Sequence, residues 1–361
     1  MANNNNTFMN RCIKLAKNGT GLTYPNPFVG AVIIENDKII SEGWHMKAGE
    51  MHAEVAAIKG LKKKHSKNLT LYVNLEPCSH HGRTPPCCDL IIKSGIKKVV
   101  IGCEDPNPKV SGRGIKKLIN GGVEVISGVL ENECIELNKR FFTVHKKNRP
   151  YIILKWAESL DGFISPHTKN KNKPYWISDI YSRQLTHMWR TQENSIMVGY
   201  NTVESDNPKL TSRHIYGKNP VRIIIDIKNT LNRDKNVFNK DTTTIIFNSL
   251  VNKKEKNIEF IKINEKNNLD EILRKLYEKN IQSIIIEGGK KTIEEFINNK
   301  KWDECRIFKS KKKLKKGIKS PTIHSDKKIQ KLIVSDYLEI FKNKFDEKCI
   351  RRYLLNVMQK H

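Results

Sequence analysis

The sequence has no apolar run long enough to span a membrane, and its first seven residues contain no apolar core of the kind found in a secretory signal. Aromatic residues make up only 7% of the chain, which leaves few rings on which nucleic-acid bases could stack. These absences predict a soluble cytoplasmic protein.

Acidic residues are scarce as well, with 38 Asp and Glu against 66 Lys and Arg, so the formal net charge is +28. Such an excess can indicate nucleic-acid binding, because lysines that contact phosphates release counterions. Here the lysines are spread over the whole chain with few aromatic residues between them. We therefore favour solvated lysine surfaces and do not expect a nucleic-acid partner, although a positive field would attract a phosphorylated substrate.

The length of 361 residues exceeds that of one typical domain, and two domains are expected. A basic, proline-ended stretch from Lys139 to Pro150 reads as the linker, which gives domains at 1–146 and 147–361. Apolar strand patterns alternate with helical patterns in both halves, as in layered α/β folds. The eight scattered cysteines do not resemble a disulfide framework and favour metal binding and free thiols.

Three residues have the character of zinc ligands: His52, Cys78 and Cys87. Any one of them alone would more often be an ordinary buried residue. Their order, with Glu54 two residues after the histidine and a proline before each cysteine, matches the zinc-deaminase signature, although the cysteines lie nine positions apart instead of three. Three ligands leave the fourth tetrahedral position open, which is typical of catalytic zinc. Glu54 is predicted to carry protons during the reaction.

Two other interpretations remain open from these residues. A nucleic-acid base deaminase that acts on tRNA would share the His-Ala-Glu and Pro-Cys elements and would fit the positive charge. A nucleic-acid-binding protein with a structural zinc would need a fourth ligand, for which Cys88 or His80 is the nearby candidate. The long cysteine spacing and the whole second domain argue against the base deaminase, and Glu54 would have no role beside a structural zinc.

The segment from Pro77 to Cys87, with Pro25-Asn26-Pro27 before it and Asp105-Pro106-Asn107-Pro108 after it, resembles the bifunctional deaminase/reductases of riboflavin biosynthesis. The resemblance extends from about Phe8 to about Phe296. It implies a cytidine-deaminase-like three-layer α/β domain followed by a dihydrofolate-reductase-like α/β domain. The implied reactions are zinc-dependent deamination of 2,5-diamino-6-ribosylamino-4(3H)-pyrimidinone 5′-phosphate and NADPH-dependent reduction of its ribosyl group to a ribityl chain. Family members commonly self-associate, so a homo-oligomer is expected.

The resemblance also implies which residues bind the ligands. In the deaminase domain the implied substrate residues are Asn26, His45, His80 and Arg83. In the reductase domain the implied NADPH residues are Glu158, Trp176, Thr202, Asp206, Glu287, Gly288 and Gly289. The implied reductase substrate residues are Lys155, Pro174, Arg190, Leu210 and Arg213. Two arginines suit a phosphate dianion, and an apolar strand that runs into Gly288-Gly289 lets backbone amides approach a phosphate, although by itself it would more often be a plain turn.

The second half also departs from the family pattern. Glu158 stands where relatives have a small residue, and Pro174 replaces a serine. From about residue 305 the chain diverges, with seven lysines from Lys309 to Lys319, a run that is usually solvated or disordered. These departures leave open a deaminase whose reductase half has lost its activity but kept its fold.

Overall fold

The structure is a computed structural model, and it describes residues 2–61, 68–80, 85–108, 110–168, 173–265, 268–324 and 328–343. The chain divides into two compact units, one up to Arg149 and one from Pro150 onward. Each unit has its own β-sheet and its own hydrophobic core. In the parts of the chain that are described, no helix combines the length and the apolar character needed to cross a membrane.

The first unit is built on a five-stranded sheet of order β2-β1-β3-β4-β5. Its strands are β1 (Gly30–Glu35), β2 (Lys38–Trp44), β3 (Thr70–Leu75), β4 (Lys98–Cys103) and β5 (Glu124–Ile126). Its helices, within the described residues, are α1 (Ala2–Ala16), α2 (Ala53–Lys59), α3 (Cys87–Lys93), α4 (Arg113–Asn120), α5 (Glu131–Leu137) and α6 (Lys139–Lys147). Strands β3, β4 and β5 are parallel, and β1 is antiparallel to its neighbours β2 and β3.

Alternation along β1 explains the three layers of this unit. Val32 and Ile34 pack in the core formed with α1, α5 and α6, whereas Ala31 and Ile33 pack in the core formed with α2, α3 and α4. The predicted three-layer α/β arrangement is confirmed. The predicted linker is wrong in its first part, because residues 139–147 form α6 and bury Phe141 in the first core. The apolar face of α6 is not evident from the sequence because the helix also contains many basic residues.

The second unit contains a ten-stranded sheet of order β11-β12-β10-β9-β8-β13-β6-β14-β17-β16 and a small sheet of β15 and β7. The strands are β6 (Tyr151–Glu158), β7 (Phe163–Ser165), β8 (Ser195–Gly199), β9 (Val221–Ile225), β10 (Thr244–Asn248), β11 (Lys253–Glu255), β12 (Ile258–Lys262), β13 (Ser283–Ile286), β14 (Glu304–Lys309), β15 (Ile318–Lys319), β16 (Lys328–Ile333) and β17 (Asp336–Lys342). The helices in its described residues are α7 (Ile180–Gln192), α8 (Tyr200–Asp206), α9 (Asn268–Glu278) and α10 (Lys290–Asn298).

The central strands of this sheet, from β12 to β14, are parallel. Helices α9 and α10 cover one face, and α7 and α8 cover the other. The carboxyl ends of β6, β8 and β13 therefore meet at one edge, where ligands gather in parallel sheets. The predicted second α/β domain is confirmed.

The prediction that the chain diverges into a tail from about residue 305 is wrong at its start. Strand β14 lies between β6 and β17, and Cys305 and Phe308 are fully buried. The lysines after it are exposed, as predicted, but their backbone is held in place: the N–H groups of Leu314 and Lys315 donate to Asp161 at 3.0 and 2.7 Å. Hydrogen bonds to the Asp161 carboxylate, that of Ser159 first, lower its pKa to about 2.

Candidate active sites

The predicted zinc ligands come from three neighbouring pieces of the first unit. His52 is the residue immediately before α2, Cys87 is the first residue of α3, and Cys78 lies in the loop after β3. Their ligand atoms all lie within 4.8 Å of one another. His52 presents Nδ1, which lies 3.3 Å from Sγ of Cys87 and 3.7 Å from Sγ of Cys78. In a tetrahedral zinc site a nitrogen and a sulfur ligand are about 3.5 Å apart, so this set fits zinc.

The protonation of this cluster also suits a metal. Hydrogen bonding from the Cys87 thiol is the largest influence on Cys78, and together with bonds from His52 and the Cys87 amide it overcomes burial and lowers the pKa of Cys78 to about 4. The hydrogen bonds with Cys78 also raise the pKa of Cys87 and of His52. Cys78 thus accepts hydrogen bonds, as a thiolate, from protons on Cys87 and His52. A bound divalent cation would displace these protons.

Glu54 lies in the first turn of α2, two residues after His52, and is only 4% exposed. Burial, followed by the negative charge of Cys78, raises the pKa of Glu54 to about 7. A buried carboxyl group next to a metal cluster can hold and release a proton, as general acid–base catalysis requires.

A fourth protein ligand is not among the described residues of this cluster. The Cys88 thiol instead faces the carbonyl oxygens of Pro77 and Gly114 at 3.4 and 3.5 Å, and burial raises its pKa to about 12. His80 is exposed and lines the pocket in front of the cluster. The residues present therefore match an open catalytic site better than a structural one.

The pocket in front of the cluster has a volume of about 460 Å³, and it is lined by Asn26, His45, Glu54, Cys78, His80, Asp105 and Asn107 among others. His45 is buried, with Nδ1 2.9 Å from the carbonyl oxygen of Met51 and Nε2 3.0 Å from Nδ2 of Asn26. Since a carbonyl oxygen only accepts, Nδ1 carries the proton and Nε2 accepts from Asn26. The Asn26 amide is thereby oriented by His45. Arg83 lies outside the described residues.

Glu76 has a role that the sequence did not reveal. Its buried carboxylate accepts hydrogen bonds from the backbone N–H groups of Asp105, Gly112, Gly114 and Ile115, at 2.8 to 3.2 Å. These bonds tie the loop that carries Cys78 to the loop and helix on the far side of the pocket. The sequence signal for this role was an acidic residue placed between an apolar strand and Pro77.

In the second unit, the structure brings together Lys155, Arg190, Arg213 and Glu287. Arg190 pairs with Glu287 through two hydrogen bonds of 3.1 and 2.7 Å. Burial opposes ionisation of Glu287, but the charges of Arg190 and Lys155 outweigh it and lower its pKa to about 2. Burial also lowers the pKa of Lys155. Three cations around one carboxylate form a positive site at the carboxyl edge of the sheet.

Thr202, in α8, packs closely against the two glycines beside this site. The Gly289 N–H donates to Oγ1 of Thr202 at 2.9 Å, and Gly289 directly precedes α10. A Cβ atom on Gly288 would lie 3.0 Å from the Thr292 side chain. Glycine at 288 thus permits close packing against Thr292, and the start of α10 presents backbone amides of the kind that bind phosphate, which suits a dinucleotide.

The other predicted reductase residues lie on loops around this edge. Trp176 and Pro174 are exposed in the segment before α7, with the Arg183 guanidinium 4.8 Å from the centre of the Trp176 ring. Asp206 ends α8 and accepts from the Ser205 hydroxyl at 2.6 Å. Leu210 is buried with a backbone φ of +55°.

The structure also shows how Glu158 is accommodated. Its carboxylate is buried at the end of β6, accepts from the Trp156 indole N–H at 2.9 Å and lies 3.4 Å from Nζ of Lys309. Lys309 in turn lies 3.3 Å from Glu339. The charge of Glu158 is therefore partly neutralised by a residue of the divergent segment.

Comparisons with known proteins assign a family to each unit. Residues 2–103 match the cytidine and deoxycytidylate deaminase zinc-binding region, and residues 150–332 match the RibD C-terminal domain. The riboflavin biosynthesis protein RibD of Aquifex aeolicus is 42% identical over 86% of this chain and 88% of its own length. RibD of Bacillus amyloliquefaciens is 40% identical over 83% of each chain.

Solved structures give the same result over both units. A diaminohydroxyphosphoribosylaminopyrimidine deaminase/5-amino-6-(5-phosphoribosylamino)uracil reductase from Thermotoga maritima is 40% identical, with a TM-score of 0.86 over 95% of this chain and 99% of that chain. RibD of Acinetobacter baumannii is 28% identical with a TM-score of 0.84 over 95% of this chain and 99% of its own.

Fold and site together define a zinc-binding deaminase domain joined to an NADPH-dependent reductase domain. The chain belongs to the RibD family of bifunctional riboflavin-biosynthesis enzymes. The nucleic-acid base deaminase and the inactive reductase receive no support from these comparisons.

Proposed function

We propose that the first unit deaminates 2,5-diamino-6-ribosylamino-4(3H)-pyrimidinone 5′-phosphate and that the second unit reduces the ribosyl group of the product to a ribityl chain. The observation that carries the first reaction is the cluster of His52, Cys78 and Cys87 beside the buried Glu54, at the base of a cavity. The family relationship supports the pairing of the two reactions.

In the deaminase site, His52, Cys78 and Cys87 would hold zinc, which would act as a Lewis acid that makes water nucleophilic near neutral pH. Glu54 takes a proton from the attacking water and delivers it to the leaving amine, so that the C–NH₂ group and water become a carbonyl group and ammonia. Asn26 forms hydrogen bonds with the edge of the pyrimidine ring, and His45 orients the Asn26 amide. His80 and Arg83 bind the remainder of the phosphorylated substrate.

In the reductase site, NADPH supplies a hydride and is bound by Trp176, Thr202, Asp206 and the turn from Glu287 to Gly289. Glu158 belongs to this site by its place at the carboxyl end of β6, with its charge matched by Lys309. The positive cluster binds the phosphate of the substrate through Lys155, Arg190 and Arg213. Leu210 and Pro174 lie on the loops that would enclose the substrate.

The test of the first reaction is Glu54→Gln, which keeps the size of the side chain but removes its proton transfer. We expect zinc content to stay at that of the wild type and deamination, followed as ammonia release, to fall by a factor of about 10² to 10⁴. The matched control is Glu50→Gln, on the pocket rim, which should change the rate little. Near-normal turnover of Glu54→Gln would contradict the role given to Glu54.

We also propose that the protein works in the cytoplasm as a homo-oligomer. Cytoplasmic location is supported by its cysteines, since all those in the described residues are free thiols, as expected in a reducing compartment. Light scattering on the purified protein measures the mass in solution, and a mass near 41.7 kDa, that of one chain, would contradict the oligomer.

A further inference from the structure

The loop from Asn207 to Arg213, which follows α8, has an unusual backbone. Asn207 and Leu210 both have positive φ values, 42° and 55°, although neither is glycine, and Leu210 is also buried. Residues with a Cβ atom rarely adopt this conformation, so the surroundings must hold the loop in place. One such contact comes from the fully buried Arg222, whose Nε donates to the carbonyl oxygen of Lys209 at 2.9 Å.

Helix α7 holds the same loop from the other side. Arg190 donates from Nη1 to the carbonyl oxygen of Thr211 at 3.1 Å. One helical turn earlier, His187 accepts a hydrogen bond at Nδ1 from the backbone N–H of Arg213 at 3.2 Å. His187 and Arg190 lie three residues apart, on one face of the helix. His187 and Arg190 therefore hold the backbone at Thr211 and at Arg213, on either side of Ser212.

The contact to Arg213 requires a neutral imidazole. Because Nδ1 accepts, its lone pair is free of a proton and the single ring proton lies on Nε2. His187 is 3% exposed. Burial, and then the charges of Arg190 and Arg213, lower the pKa of His187 to about 4, in agreement with this state.

The side chain of Arg213 is available to a ligand. It is exposed and forms no ion pair within the described part of the chain. Lys155, Arg190 and Arg213 carry three positive charges, and among the described residues Glu287 is the carboxylate that pairs with Arg190 and whose charge acts on Lys155 and Arg213. The net charge of about +2 on these four side chains would balance the charge of about −2 on a phosphate dianion.

We propose that His187 is a positioning residue, which sets the backbone of Arg213 so that its guanidinium meets the phosphate of the reductase substrate. The proposal rests on the proposed reductase function. A neutral acceptor suits this position, because a carboxylate would pair with the Arg213 guanidinium and compete with the phosphate. His187 itself does not contact the substrate in this scheme.

Two polar substitutions of similar size separate this role from a general loss of stability. In His187→Asn the amide oxygen can take the place of Nδ1, whereas in His187→Gln the amide lies one bond further out, near the position of Nε2. The full-length protein is assayed with the deaminated pyrimidine phosphate and NADPH. We expect His187→Gln to raise the KM of the phosphorylated substrate about tenfold and His187→Asn to raise it no more than about threefold.

The internal controls are the KM of NADPH and the deaminase rate, which should both stay within about twofold of the wild type in these variants. His214→Gln is the matched control, because its ring contacts that of His187 at 4.7 Å. It should leave the KM of the phosphorylated substrate within about twofold of the wild type. An unchanged KM in His187→Gln, or equal impairment of His187→Asn and His187→Gln, would overturn the proposal.

A second readout does not depend on turnover. Binding of ribose 5-phosphate to the full-length protein, measured by calorimetry, should weaken about tenfold in His187→Gln and change little in His187→Asn. A wild-type protein that binds ribose 5-phosphate with this pattern but never oxidises NADPH would overturn the proposed reductase function and leave the role of His187 supported. Equal binding by all variants would overturn the role of His187.

Discussion

The two sites of this chain are built in different ways. The zinc ligands of the first unit lie within 36 consecutive residues, in the loop after β3 and at the starts of two short helices. The charged cluster of the second unit draws on Lys155, Arg190, Arg213 and Glu287, which are brought to one edge by a parallel sheet. A compact motif tolerates change elsewhere, whereas a dispersed cluster depends on the whole sheet. The two sites should therefore respond differently to the same kind of substitution.

Removal of a zinc ligand should have the largest effect and should be confined to one unit. We expect Cys78→Ser to lose zinc and to lower deaminase activity by about 10⁴ or more, because Lewis-acid chemistry and the ligand geometry are lost together. NADPH oxidation with the deaminated substrate should remain within twofold. Metal analysis and the two separate assays measure this, with Cys88→Ser as the matched control. Loss of both activities together would mean that the two sites are not independent.

Breaking the ion pair of the second unit should be nearly as severe, but its effect should spread through that unit. Glu287→Gln leaves Arg190 without its carboxylate in a site where both side chains are about one-tenth exposed. Loss of one partner of a buried pair costs about 3 to 5 kcal/mol. We expect the second unit to unfold at lower urea concentration, with deaminase activity retained. Glu278→Gln, which breaks only an exposed pair with Arg274, is the control. Equal stability of the two variants would contradict this expectation.

Replacement of the buried carboxylate of Glu76 measures the corresponding loss of stability in the first unit. In Glu76→Gln one side-chain oxygen becomes an NH₂ group that faces backbone N–H donors, so at least two of the four hydrogen bonds are lost. We expect a loss of about 2 to 3 kcal/mol in the free energy of unfolding of the first unit. Thermal unfolding of zinc-loaded protein measures it. A shift as small as that of Glu124→Gln, an exposed strand position, would show that these bonds contribute little.

Two buried groups, one in each unit, should contribute to the pH dependence of stability with opposite signs, and this is the smallest effect. Burial raises the pKa of Asp105 to about 7, so the folded first unit binds more protons than the unfolded chain and loses stability as the pH rises toward 7. Burial lowers the pKa of His187 to about 4 from 6.5, so the folded second unit binds fewer protons and loses stability as the pH falls from 6.5 toward 4. Each slope is at most about 1.4 kcal/mol per pH unit.

Urea unfolding at pH 5, 6 and 7, with probes for each unit, measures these slopes. Asp105→Asn should flatten the slope of the first unit, and His187→Asn that of the second. Variants whose slopes equal those of the wild type would contradict the contributions expected of Asp105 and His187.

Prediction from the sequence succeeded where information is local. The turn from β1 to β2 is made by Asn36 and Asp37, residue types that favour tight hairpins, and both have positive φ. His52, Cys78 and Cys87 could be grouped from the sequence because their chemistry and order restrict the choice, and the structure places their ligand atoms within 4.8 Å of one another. Glu76 was missed because its partners lie about 30 to 40 residues further along the chain.

The second unit was harder to predict for the same physical reason. Strand β14 was overlooked because it contains Glu304 and Arg306, which look like surface residues in the sequence. Their burial is compensated by partners: they pair with each other at 2.6 Å, and Arg306 lies over the Trp189 ring at 4.5 Å. Burial that depends on a partner cannot be read from a hydrophobic pattern.

The position of β14 determines how short a fragment of the second unit can be. A fragment that stops at the lysines after Lys309 would keep β14 but leave its outer edge without β17, and so expose a row of unpaired backbone groups to aggregation. Asn343, just beyond β17, still donates to the carbonyl oxygen of Trp302 at 2.8 Å. Expression of this half by itself should therefore retain the chain at least through Asn343.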